Sequence, residues 1–163
     1  MFNSNLKLLS WSAVVIFIDQ LTKKIVSESL IYGESKSLIG EFIQITFIKN
    51  PGMAFGIQFG NRLFFAIFSL IASVIIIIYL FQLKPENFWA RFALASIFGG
   101  AIGNLIDRIV YREVVDFIDF QFIRWPIFNV ADIAVTIGMI LLIAFVLFDR
   151  KKADQDEEQV ELS

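Results

Sequence analysis

An all-α integral membrane protein of four transmembrane helices, with a small extracytoplasmic β-hairpin or sheet between helices 1 and 2, is the fold this sequence predicts. Three observations predict it. Of 163 residues, 57% are hydrophobic and only 18% are charged, whereas an average soluble domain is roughly 45–50% apolar and about 25% charged. Four apolar stretches, 8–26, 63–83, 89–110 and 130–148, each approach the ~20 residues a helix needs to cross about 30 Å of hydrocarbon. The one long connector, 27–62, carries a strand pattern instead.

Taken in order, span 8–26 is charged only toward its C-terminal end, at Asp19, Lys23 and Lys24. Those charges argue against a cleaved signal peptide, because they fall between the apolar run and the small pair Ser27 and Ser29, where such leaders rarely carry charge. In the connector, Phe42 to Ile48 is β-branched and aromatic with period two, Asn50-Pro51-Gly52 reads as a turn, and Met53 to Ile57 reads as the returning strand. An isolated hairpin is marginal in water, so it is expected to rest on helix ends or on the membrane surface. Span 63–83 has no charge at all, and Lys84-Pro85-Glu86-Asn87-Phe88 suits a turn. Span 89–110 carries Gly99, Gly100 and Gly103, with the small-xxx-small pair Gly99 and Gly103 suited to close helix packing, and ends in Asp107 and Arg108. Span 130–148 has Asp132 near its start. Residues 1–149 thus form one domain, and 150–163, basic at Arg150, Lys151 and Lys152 and then acidic, reads as a charged, disordered cytoplasmic tail.

Composition also narrows the chemistry. The chain has 0 His and no Cys, which excludes a thiol nucleophile, a Ser-His-Asp triad, an imidazole or thiolate zinc site and any disulfide. A net charge of -2 gives no electrostatic case for nucleic acid. Because successive spans alternate direction, the ends of spans one and three share a membrane face with the starts of spans two and four. That parity gathers Asp19, Thr22, Lys23, Asn104, Asp107, Arg108, Asn129 and Asp132, and the loops on the same face add Asn50, Asp116 and Asp119. Within each helix the members lie three or four residues from the first and so share a face. An ionised side chain near the bilayer centre costs from about 2.5 to more than 10 kcal/mol, so these groups face a partner or a wet cavity. Singly, Asp19 with Lys23 or Asp107 with Arg108 reads as well as an ion pair pinning helices. Together they fit an aspartate pair activating water, a carboxylate cluster holding Mg²⁺ or Ca²⁺ for a membrane transferase, or a proton or cation relay. Transport is disfavoured by the clustering of charge at one face.

Five motifs then resemble those of the bacterial lipoprotein signal peptidases, or signal peptidase II, over nearly the whole chain. They are Asp19-Gln20-Leu21-Thr22-Lys23, Lys49-Asn50-Pro51-Gly52-Met53-Ala54-Phe55, Gly99 to Arg108, Val114-Val115-Asp116-Phe117 and Phe128-Asn129-Val130-Ala131-Asp132. The resemblance implies an aspartic endopeptidase with Asp116 and Asp132 as the catalytic pair. It implies that Asn50, Gly52, Asn104, Arg108 and Asn129 line or brace the site, with Asp19 and Lys23 supporting. No metal and no cofactor are expected. The implied substrate is a diacylglyceryl-modified prolipoprotein cut on the N-terminal side of its lipid-modified Cys, and membrane lipid and a monomeric chain are implied with it. One departure stands out: four residues after Arg108, where the family usually has Gly, this chain has Arg112, which puts the local loop shape in question. Asp119 matches no catalytic position.

Orientation does not follow from charge. Lys7, Lys84, Arg91, Arg150, Lys151 and Lys152 lie on one face and Lys36, Lys49, Arg62, Arg112 and Arg124 on the other, with Lys23, Lys24 and Arg108 at its border, so the positive-inside count is near a tie. The resemblance implies a multi-pass protein of the bacterial inner membrane, both termini cytoplasmic and the site near the extracytoplasmic face.

Overall fold

The computed structural model describes residues 2–54, 57–58, 62–84, 86–123 and 125–161, and for 2–5, 53–54, 57–58, 62 and 150–161 the backbone alone. Phe55 of the loop motif, Pro85 of the link and Arg124 of the charge count lie outside the described residues. In chain order the elements are α1 (Phe2–Ser29), β1 (Ser35–Ile39), β2 (Ile43–Asn50), β3 (Met53–Ala54), β4 (Ile57–Gln58), α2 (Arg62–Gln82), α3 (Phe88–Val110), β5 (Val114–Phe120) and α4 (Val130–Glu161). The protein is mostly helical, with a three-stranded antiparallel sheet in the order β1-β2-β5 and a separate β3-β4 ladder.

Among the described residues three stretches are long and apolar enough to cross a membrane: Leu63–Gln82, Phe88–Val110 and Val130–Asp149. The run Val74 to Ile78 in α2 is β-branched, a composition that favours strands in water. In hydrocarbon only a helix satisfies every backbone group within one segment, and that constraint outweighs propensity. The helix surfaces agree with an apolar solvent. Leu63, Phe64, Ile67, Phe68, Leu70 and Ile71 of α2 and Ile137, Ile140, Ile143 and Leu147 of α4 are all exposed, more exposed apolar surface along helices than monomeric soluble proteins usually show.

The helix α3 is the hub, packing against α1, α2 and α4. Its small residues set the spacing. An added Cβ on Gly99 would lie 2.9 Å from Val15 Cβ, and one on Gly103 would lie 2.6 Å from Asp19 Oδ2, so both glycines expected at a close helix contact are at one with α1.

Two expectations need correction. Met53 to Ile57 is not the returning strand of a hairpin with β2: Met53 and Ala54 pair with Gln58 and Ile57, while β2 pairs with β1 before it and with β5, from the connector between α3 and α4. Pairing Asn50 with Val114 and Ile43 with Phe120 covers β2 along its length. Val114 to Phe120 is β-branched or aromatic at every position but Asp116 and Asp119 and is the better partner by composition. The sheet rests Phe47, Val115 and Phe117 on Val26 and Leu30 at the end of α1. The second correction concerns 150–161, which continues α4 as helix where the sequence suggests disorder. Ala, Gln, Glu and Lys are good helix formers, and extending an existing helix needs no new nucleus.

Candidate active site

Asp132 lies in the first turn of α4 and Asp116 in the middle of β5. The two elements are brought together by the residue preceding α4. Asn129 stands at its N-cap: its Oδ1 accepts from the Asp132 amide at 3.0 Å, and the Asn129 amide donates to Asp132 Oδ2 at 3.1 Å. This reciprocal pair is a capping box with Asp in place of Glu. The other end of the same side chain, Nδ2, donates to Asp116 Oδ1 at 2.7 Å. Asn50, from the end of β2, donates to Asp116 Oδ2 at 2.9 Å, and Asn104 of α3 donates to Asp132 Oδ1 at 2.8 Å. Three asparagines from three separate elements thereby hold the two carboxylates.

The turn carrying Asn50 is set locally. Its Oδ1 accepts from the Gly52 amide at 2.9 Å, and Gly52 has φ +113, with Phe65 where a Cβ would be, so no other residue fits there without strain.

Behind this layer Lys23 is buried at 3% exposure. Its ammonium contacts Asp19 at 2.8 Å, Asp107 at 2.9 Å and Asn104 Oδ1 at 2.9 Å, which uses all three of its donors. Asp19 Oδ1 also accepts the Ala131 amide at 2.9 Å, fixing the start of α4 to α1. Asp107 accepts from Gln20 Nε2 at 2.8 Å and from the Val115 amide at 3.3 Å, fixing α3 to the strand that carries Asp116.

Asp116 and Asp132 line one cavity of about 520 Å³ together with Asn50, Gly52, Arg108 and Phe65. The Asp116 carboxyl is raised to about 6, by burial first and then by the neighbouring Asp132 charge, against the pull of the N–H donors Asn50 and Asn129. Of the residues singled out from sequence, Asp116, Asp132, Asn50, Gly52 and Arg108 line the cavity, Asn104 and Asn129 bond to its carboxylates, and Asp19 and Lys23 stand behind. The others do not join. Asp119 accepts from Thr46 Oγ1 at 2.8 Å, Thr22 bonds to backbone oxygens of its own helix, and Asp107 belongs to Lys23. Among the described residues no three of Asp107, Asp116, Asp119 and Asp132 come together as the carboxylate cluster of a metal-dependent transferase would.

Sequence reasoning missed Gln20 and Ser69. Gln20 ties Asp107 to α1, and its signal was an amide directly beside Asp19. Ser69 accepts from Arg108 at 3.4 Å, and its signal was a hydroxyl in an otherwise uncharged apolar run.

The chain matches the family model described as signal peptidase (SPase) II over residues 11–148. It is 43% identical to the lipoprotein signal peptidase of Brevibacillus brevis over 141 residues, 86% of this chain and 95% of that protein. It is 42% identical to that of Desulforapulum autotrophicum over 146 residues, 85% and 90% of the two chains. A solved structure described as a bacterial membrane enzyme determined by the in meso method at 2.3 Å resolution superposes with a TM-score of 0.82 at 35% identity, covering 93% of this chain and 92% of that one. A second, described in the same way at 1.9 Å resolution, gives 0.79 at 36% identity, covering 90% and 94%. Fold and site together define an aspartic endopeptidase of a bacterial membrane. The chain belongs to the signal peptidase II family.

Proposed function

We propose that this protein removes the signal peptide from diacylglyceryl-modified prolipoproteins, cutting on the N-terminal side of the lipid-modified Cys with a water activated by Asp116 and Asp132. The observation that carries this reading is the pair of carboxylates from β5 and α4 lining one cavity, both oriented by N–H donors. Two carboxyl groups facing one pocket do not both ionise cheaply, so one of them keeps a proton. With its raised value Asp116 holds that proton. Asp132 takes a proton from water as the water oxygen bonds to the scissile carbonyl carbon, and Asp116 donates to the carbonyl oxygen. Collapse of the tetrahedral intermediate breaks the C–N bond: the proton on Asp132 passes to the leaving amine, and a hydroxyl of the intermediate returns its proton to Asp116, which restores the pair. Arg108 brings a positive charge to the cavity in which negative charge develops. No metal and no covalent intermediate enters this sequence.

The same reading makes α1 a fourth span. Its 28 residues reach about 42 Å. Val14, Phe17, Ile18, Leu21 and Ile25 are exposed, while Asp19 and Lys23 are buried against α3. Its polar residues lower its hydropathy without facing lipid. With four spans both termini share one side; this reading takes that side as the cytoplasmic one, with the sheet and Asp116 at the outer face of the inner membrane, and takes the chain as a monomer.

The decisive experiment incubates purified protein with lipidated and unlipidated precursor peptides in the presence of a chelator. Cleavage of the lipidated precursor alone is expected. Equal cleavage of both overturns the substrate assignment, and loss of cleavage with chelator, restored by Mg²⁺, overturns the dyad.

A further inference from the structure

We infer that the groove between α1, α3 and α4 seats one acyl chain of the lipid on the substrate's Cys, an inference that rests on the peptidase reading above. The groove has a volume of about 290 Å³ and is walled by Val14 and Ile18 of α1, Phe92 and Ser96 of α3, and Ala134 and Ile137 of α4. It adjoins the catalytic cavity, since Ile133 and Ile137 line both. Its upper end is fixed in depth. Ile18 precedes Asp19, whose carboxylate holds the Ala131 amide in the same turn of α4 as Asp132. From Ile18 to Trp11, α1 descends about 10 Å away from that level.

The lining decides the class of occupant. Trp11 Nε1 donates to Ser96 Oγ at 2.9 Å, Ser96 Oγ donates to the Phe92 carbonyl at 3.0 Å, and the Trp11 ring stacks on Phe92 with centroids 5.2 Å apart. The polar atoms of this wall are thus engaged with one another. An extended peptide laid here would leave its backbone groups without partners in hydrocarbon, and a groove of about 290 Å³ is too small for a helix about 10 Å across. A hydrocarbon chain has no such requirement. Entering from the catalytic cavity past Ile133, it would hold the lipidated Cys beside Asp116 and Asp132. Leaving lipid for this groove brings no hydrophobic gain, so discrimination comes from close packing along its walls, and acyl length is the variable that reports it.

The test compares precursor peptides carrying dipalmitoyl or dibutyryl thioglyceryl groups, the second too short to descend past Ile133. Ala134→Trp fills the groove from α4, and Val14→Trp fills it from the exposed rim of α1. Each variant is expected to raise KM for the dipalmitoyl substrate about fivefold, a loss of packing near 1 kcal/mol, with kcat and the dibutyryl KM within twofold of wild type. Cleavage of the dibutyryl peptide certifies a folded site in each variant, and should Ala134→Trp fail to fold, Val14→Trp decides. Unchanged KM for both substrates, the result expected if bulk phospholipid fills the groove, overturns the inference, as do equal shifts for both. A wild-type enzyme that cleaves neither peptide removes the peptidase reading instead.

Discussion

Asn129 and Asp132 cap one another across the first turn of α4, and the amide nitrogen of that same asparagine reaches Asp116 at 2.7 Å. One side chain therefore satisfies a helix terminus and sets the position of both carboxylates. Stability of α4 and geometry of the site are joined at Asn129.

That junction separates activity from folding. Asp116→Asn and Asp132→Asn are each expected to lower kcat on lipidated precursor at least 10³-fold, on the order of the loss of an acid or base acting in the transition state. Asp132→Asn also weakens the cap, at a cost of about 0.5–2 kcal/mol, seen as a modest fall in Tm. Asp119→Asn, which alters only the contact with Thr46, retains substantial activity. Full turnover by folded Asp132→Asn protein would rule the dyad out.

The pH profile should carry the signature of Asp116. Its carboxyl sits at about 6 and acts as the proton donor, so kcat/KM falls as pH rises through about 6 and the proton is lost. Asn50→Ala removes an N–H that favours the charged form. The proton is then held more tightly, and the falling limb moves to higher pH. A limb that stays in place, or moves to lower pH, contradicts the assignment of the proton to Asp116.

Lys23 stands between two buried carboxylates at 2.8 and 2.9 Å. Lys23→Met leaves both without a cation and is expected to cost about 3–5 kcal/mol, measured as a large fall in Tm in detergent together with loss of activity. Lys24→Met supplies the control, because the Lys24 side chain is 70% exposed and its contact with Glu28 is 3.9 Å long. Both Tm and activity should be unaffected by it.

Arg112 has φ 64 and follows Tyr111, the C-cap of α3, whose amide bonds to the Asp107 carbonyl. Left-handed backbone just past a helix C-cap is the position that favours glycine. The loop therefore keeps the shape that a Gly adopts freely, even though the chain has Arg there. Arg112→Gly should relieve the strain and raise stability by up to about 1 kcal/mol, read as a higher Tm with unchanged kcat. A lower Tm would mean that the Arg112 side chain holds the loop by contacts outweighing the strain.

Long apolar stretches and the polar clusters at their ends are local properties, so the sequence by itself determined the helices and, within each, the face that carries Asp19 with Lys23, Asn104 with Asp107, and Asp132. The spacing of three and four residues within each helix carried that information directly. Strand pairing is not local. Met53 to Ile57 stood next in the chain after the Asn50-Pro51-Gly52 turn, yet β2 pairs with Val114 to Phe120 from another connector, because β1 and β5 offer longer runs of hydrogen-bonding partners. Only the tertiary structure decided which carboxylates share a cavity. Asp107 and Asp119 have the same chemistry as Asp116 and Asp132, and they are set apart by their neighbours, Lys23 in one case and Thr46 in the other. A sequence states which residues carry charge. Which charges meet depends on the partners the fold brings within 3 Å, and those partners come from residues as far apart as Asp19 and Ala131.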